Sequence, residues 1–341
     1  MSRRHRAWRA GALAAAASAA LALLSGCAIP LPQVEADPAP EGPQPALDEP
    51  RTDRVLDAVA QAIAAGDEEQ DAEPLESRLT GPALTTRQAE YALAAATAGS
   101  EQETAPQQLT TEPQVVAVSQ GEEWPKTILV FTTIADGMNT PLLIGLQQAD
   151  PRADYEMFGW VRLLPEITTP ATAVIAEGSP QLAPDAEGLA MTPEATVTAY
   201  ADALSDTDSE YADTFEEDVF RTFITDDRIA IRDSIDEAGE YSESYSADAD
   251  FAPVSLQTTD GGAIVIGAIS SEQTYERTID DSEMTVGGEI ALLAGEEESI
   301  DVETSVTASY YLTVAFYVPP DADAQIQVLG AERVLADVTT E

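Results

Sequence analysis

The sequence predicts an α+β protein of two modules, each running from helices into a curved antiparallel sheet, behind a signal peptide and a disordered tether. Apolar residues recur with a helical period over 52–99 and 192–239, then in β-branched and aromatic strand-like runs over 114–164 and 254–338. Short turn signals separate those runs, which favours antiparallel neighbours. Between the halves, Pro165, Pro170, Pro180, Pro184 and Pro193 with Gly178 and Gly188 break the pattern and mark a boundary. The chain has 341 residues, 44% hydrophobic and 23% charged, enough for each half to bury a core.

Residues 1–26 have the form of an export signal. Arg3, Arg4, Arg6 and Arg9 make a positive start, Ala10–Leu24 an apolar run, and small residues precede Cys27. The run is shorter than the ~20 residues that span a bilayer, so a cleaved signal is expected. Leu24, Ser25, Gly26 and Cys27 resemble the lipobox of bacterial lipoproteins. That resemblance implies cleavage before Cys27 and a diacylglyceryl group on its thiol, an anchor of two or more acyl chains. From residue 27 to 51, seven prolines alternate with acids, a composition that favours extended polyproline II and cannot bury a core. At ~3.1 Å per residue, such a tether reaches up to ~70 Å from a membrane.

The first module is expected over 52–168. Val55, Val59 and Ile63 share a face of a helix ending at Gly66, a short helical turn follows from Pro74, and Thr85 with Gln88 forms a capping box for a third helix. Strands are expected at 114–118, 127–135, 142–147 and 155–164. A linker covers 169–191, and the second module, 192–341, repeats the plan. Thr192-Pro193-Glu194 opens a helix carrying Val197, Tyr200, Ala201 and Leu204. A second helix takes Tyr211, Phe215, Val219, Phe220 and Phe223, and a third Ile231 and Ile235. Strands follow at 254–258, 263–274, 284–293, 306–318 and 324–338. In the strand over 306–318, Tyr310, Leu312, Val314, Phe316 and Val318 are expected to face the core, with Tyr311, Thr313, Ala315 and Tyr317 opposite.

This element order resembles the cone-shaped nuclear-transport-factor-like (cystatin-related) fold, which implies a bent sheet wrapped round helices with a pocket at its open end. Taken with the lipobox and the tether, the chain resembles uncharacterised surface lipoproteins of actinobacteria, from which no activity carries over.

Composition excludes many chemistries. There are 62 acidic against 16 basic residues, a formal charge of −46, and removal of residues 1–26 takes away four bases and no acid. Such a surface repels phosphate backbones, so no nucleic-acid partner is expected. One cysteine makes no intrachain disulfide or zinc site, and the only histidine, His5, lies in the signal, which removes histidine-based catalysis and metal binding. The only lysine, Lys126, is expected to be a solvated surface residue. Asp206, Asp208, Glu210 and Glu217 have the spacing of a calcium loop, but Tyr211 stands where the turn needs glycine, and an acidic helix start accounts for them better. Phe158, Trp160, Tyr311 and Tyr317 are the candidate lining of a ligand pocket.

The sequence thus predicts a non-enzymatic lipoprotein without cofactor or metal, anchored to the membrane on its extracytoplasmic face. It would bind or scaffold an envelope component or a small ligand. The alternatives are a solute-binding protein of a transporter, which calls for two lobes of alternating strands and helices, and a hydrolase using two carboxyls.

Overall fold

The computed structural model describes residues 42–135 and 137–341. The expected signal, the lipobox Leu24, Ser25 and Gly26, the anchor Cys27 and most of the tether lie outside these residues.

Helix α1 (Glu49–Glu69) starts inside the expected tether. Asp48 caps it by accepting a hydrogen bond from the Arg51 N–H, Pro50 fixes the first turn, and Gln70 in the left-handed region closes the other end. Helix α2 (Gly81–Thr97) begins four residues before the Thr85 capping box, because Thr80 takes the cap position and Pro82 the first turn. Strands β1 (Pro113–Val118), β2 (Lys126–Thr132), β3 (Leu142–Gln148) and β4 (Glu156–Leu163) then form an antiparallel meander close to the expected bounds.

Helix α3 (Pro193–Ser205) is capped by Thr192, as the Thr-Pro-Glu signal predicts. The two helices expected next are one, α4 (Val219–Ile235), capped by Asp218. Tyr211 and Phe215 flank a short 3-10 turn before it (Ala212–Thr214), and Phe215 bridges to Ile326 and meets the ring of Tyr200 edge-on with centroids 5.0 Å apart. Strands β5 (Glu240–Ala247), β6 (Val254–Gln257) and β7 (Ala263–Glu276) follow. The single strand expected over 284–293 divides into β8 (Thr285–Gly287) and the short helix α5 (Gly288–Leu293), since Gly288 turns the chain at φ +69°. Strand β9 (Ser299–Asp301) pairs with β8, and β10 (Ser305–Val318) and β11 (Gln327–Thr340) complete the chain.

The protein is therefore a mixed α+β structure with five helices and one large antiparallel sheet among the described residues, and Pro43–Glu341 form one compact unit. The main sheet runs β1-β2-β3-β4-β11-β10-β7-β5, with β6 also on β7. Strands from both halves share it through a short ladder, Leu163 opposite Gly330 and Arg162 opposite Ala331.

The sheet also curls over itself. Leu129, Leu143 and Val161 pack in one core with Ile264, Ile266 and Ala315. Gly145 and Gly159 face each other across β3 and β4. A methyl on Gly145 would lie 3.0 Å from Ile266, and one on Gly159 3.1 Å from Thr313, so their bareness lets the two layers close. Outside, α1 covers Ile128, Val130 and Ile144, while α3 covers Val265, Val314 and Phe316. Strand β10 is thus buried on both faces: Leu312 and Phe316 contact the α3 layer, and Thr313 and Ala315 point into the curl. Only one face was expected to be core; closure of the sheet buries the other.

Candidate functional site

An opening with apolar and polar walls lies between α3 and the β5–β7 edge, a cavity of about 540 Å³. Helical spacing places Glu194, Thr198 and Asp202 in line along α3, with Val197, Ala201 and Ser205 beside them on the same wall. Tyr245, Ser246 and Ala247 of β5, Gly267 and Ala268 of β7, the loop 248–253 with Phe251, and Pro184 form the remainder.

Small residues create this space and glycine sets its depth. A methyl on Gly267 would lie 2.3 Å from Val197 Cγ2, so α3 reaches β7 only because position 267 is bare. Ser205 fixes the end of the helix: its hydroxyl accepts from the Tyr245 N–H at 2.8 Å and lies 3.0 Å from the Ala201 carbonyl. Asp248 is held from two sides. Its Oδ2 accepts from the Tyr311 hydroxyl at 2.7 Å and its Oδ1 from the Asp250 N–H at 2.9 Å. Asp202 accepts from the Ser209 hydroxyl. Glu194, Asp202 and Asp248 are the charged lining, and no basic side chain joins them.

Two buried ionic clusters lie elsewhere. Arg87 of α2 is fully buried; its Nη2 donates to Asp67 and its Nη1 to Glu90, each at 2.6 Å, and Nη1 also donates to the Gln107 carbonyl. Tyr91 donates to the same Asp67. Alongside, Glu332 of β11 sits 3.6 Å from Arg162 of β4, and burial pushes its carboxyl up to about 7 against the pull of that arginine. The second cluster pairs Arg228 of α4 with Glu243 of β5, which also accepts from the Tyr241 hydroxyl.

The four aromatics expected to line a pocket are dispersed. Phe158 and Tyr317 belong to the core inside the curl, and Tyr317 donates to Asp260 at 2.6 Å. Trp160 lies on the opposite face beneath α1, and Tyr311 packs with Ala89 and Val334. Tyr311 meets the cavity through its hydrogen bond to Asp248 and its packing against Ala268. Lys126 is not solvated: it is buried, its Nζ donates to the Gly121 carbonyl at 2.5 Å and stands 5.2 Å from the Trp124 ring centroid, and burial lowers its pKa. Asp206, Asp208 and Glu210 do not form the expected acidic helix start: α3 ends at Ser205, α4 begins at Val219, and Asp206 accepts from the Asp208 N–H in a local turn between them. Among the described residues no three acidic, histidine or cysteine side chains are placed to hold a metal. No helix among the described residues is long and apolar enough to cross a membrane.

Single-sequence periodicity missed the cavity, although Gly267-Ala268 inside a strand and the row Glu194, Thr198, Asp202 on a helix were visible signals of close approach and of an open polar face. Residues 43–339 match the model of a family described as a domain of unknown function (DUF8094). No curated protein and no solved structure matches the chain.

Proposed function

The chain belongs to the DUF8094 family, and from that premise we propose that it is a non-enzymatic binding module, held at the extracytoplasmic face of the cell membrane by lipid on Cys27. The cavity between α3 and the β5–β7 edge is its ligand site. The observation that carries this is the cavity itself: about 540 Å³ with small apolar walls and a few polar groups at fixed positions, within the ~300–1,000 Å³ of small-molecule sites. The parts of the chain on either side of the β4–β11 ladder are its two cone-like modules, merged along one sheet.

The all-antiparallel sheet favours this over a solute-binding protein, which calls for alternating strands and helices. A hydrolase needs two carboxyls ~5–10 Å apart in a pocket. Glu90 and Glu332, whose proton affinity burial raises, sit among Arg87, Arg162 and Gln107 and not with Glu194, Asp202 and Asp248 at the cavity, which favours a structural role for them and leaves the cavity without a buried acid of that kind.

Two measurements test the proposal. A neutral solvatochromic dye such as Nile red should bind the full chain with one-to-one stoichiometry, and Thr198→Trp, placed on the exposed cavity wall, should abolish binding without changing the circular dichroism. Undiminished binding to that variant would remove the cavity as the site. Metabolic labelling with a fatty-acid analogue should mark the protein and fail on Cys27→Ala; label that persists on the variant refutes the anchor.

A further inference from the structure

We propose that the cavity takes an amphipathic cation, an alkyl chain ending in an ammonium group. This rests on the cavity being the ligand site. Val197, Ala201 and Ala247 provide an apolar wall suited to alkyl groups. Three carboxylates, Glu194, Asp202 and Asp248, stand round that wall with no lysine, arginine or histidine among the lining residues. Asp248 is already oriented by Tyr311 and Asp250, so a cation recruits a fixed acceptor instead of ordering a mobile one.

The aromatic lining, Tyr245 and Phe251, adds attraction for a cationic head. The whole molecule reinforces the choice, since a chain of formal charge −46 draws cations towards a cleft lined by one sign of charge and repels anions from it. A neutral ligand would gain no charge attraction from the three carboxylates, and an anionic one would meet repulsion from all of them.

The test is isothermal titration of the full chain carrying Cys27→Ala with three chain-matched probes below their micellar or solubility limits: octyltrimethylammonium, 1-octanol and octanoate. The cation should bind one-to-one about tenfold or more tighter than octanol, a difference of about 1.4 kcal/mol, and octanoate should bind more weakly than either. Glu194→Gln with Asp202→Asn should erase the preference for the cation and leave octanol unchanged. Thr198→Trp should abolish binding of both; if that variant does not fold, Ala249→Trp on the facing loop replaces it.

Equal affinities for the cation and octanol in the unblocked protein overturn the cationic class but leave the cavity as the site. Absence of binding by all three probes overturns the cavity reading as well. Cation binding that survives the blocking variant lies elsewhere on this acidic surface and overturns the inference.

Discussion

Glu332 shows how one residue's surroundings set a property of the protein. Its carboxyl is buried beside Arg162, Arg87, Glu90 and Gln107, and desolvation outweighs the arginines, lifting the pKa from 4.5 to about 7. Between those values the folded state holds a proton that the unfolded state has released. Stability therefore falls as pH rises through that window, and the loss is complete above about 7. Glu332→Gln should remove this contribution: its stability relative to the parent should rise by up to about 3 kcal/mol between pH 4.5 and pH 8. Urea denaturation of both proteins at the two pH values checks it; parallel pH profiles would show that Glu332 does not carry the slope. Lys126 and Arg87 teach the same lesson in the opposite sense, since their charges are buried with carbonyl, carboxylate or ring partners that no local pattern announces.

At the scale of elements, caps and periods were legible wherever the chain's own neighbours decide them. Thr192-Pro193-Glu194 gave α3, and the β1–β4 runs gave the meander. Strand β5 was missed because Glu-Tyr-Ser-Glu-Ser-Tyr-Ser-Ala is polar; it is a strand because β7 pairs with it and Tyr241 and Tyr245 bury one side. The approach of α3 to β7 rests on Gly267. Gly267→Ala should cost about 1–3 kcal/mol through the clash with Val197, and Val197→Ala in the same chain should recover part of that cost. A double-mutant cycle by thermal denaturation measures the coupling, and purely additive effects would show that the contact does not set the helix position. The local sequence held only partial signals of the cavity, in Gly267-Ala268 and the row Glu194, Thr198 and Asp202, because its walls come from a helix and two strands far apart along the chain.

For the whole molecule, the ladder between β4 and β11 decides whether the halves act as one. It has two residue pairs, yet the core inside the curl joins strands from both halves. Gly330 lies in that ladder, where a Cβ would come within 2.6 Å of the Arg162 carbonyl oxygen. Gly330→Val should cost about 2–3 kcal/mol and lower a single cooperative melting transition; calorimetry that resolves two transitions would show that the shared core does not couple the halves.

The sequence by itself determined the fold class, most strands and helix starts, and the acidity that argues against nucleic-acid binding, because composition, caps and alternation act within a few residues. Only the tertiary structure decided that the strands share one curled sheet, that both faces of β10 are buried, that the candidate aromatics disperse into separate cores, and that Glu194, Asp202 and Asp248 surround an apolar cavity. Those outcomes depend on which distant surfaces meet. Several single-residue features permit the meeting, including the bare glycines at 145, 159 and 267, whose consequence exists only once a partner layer is present.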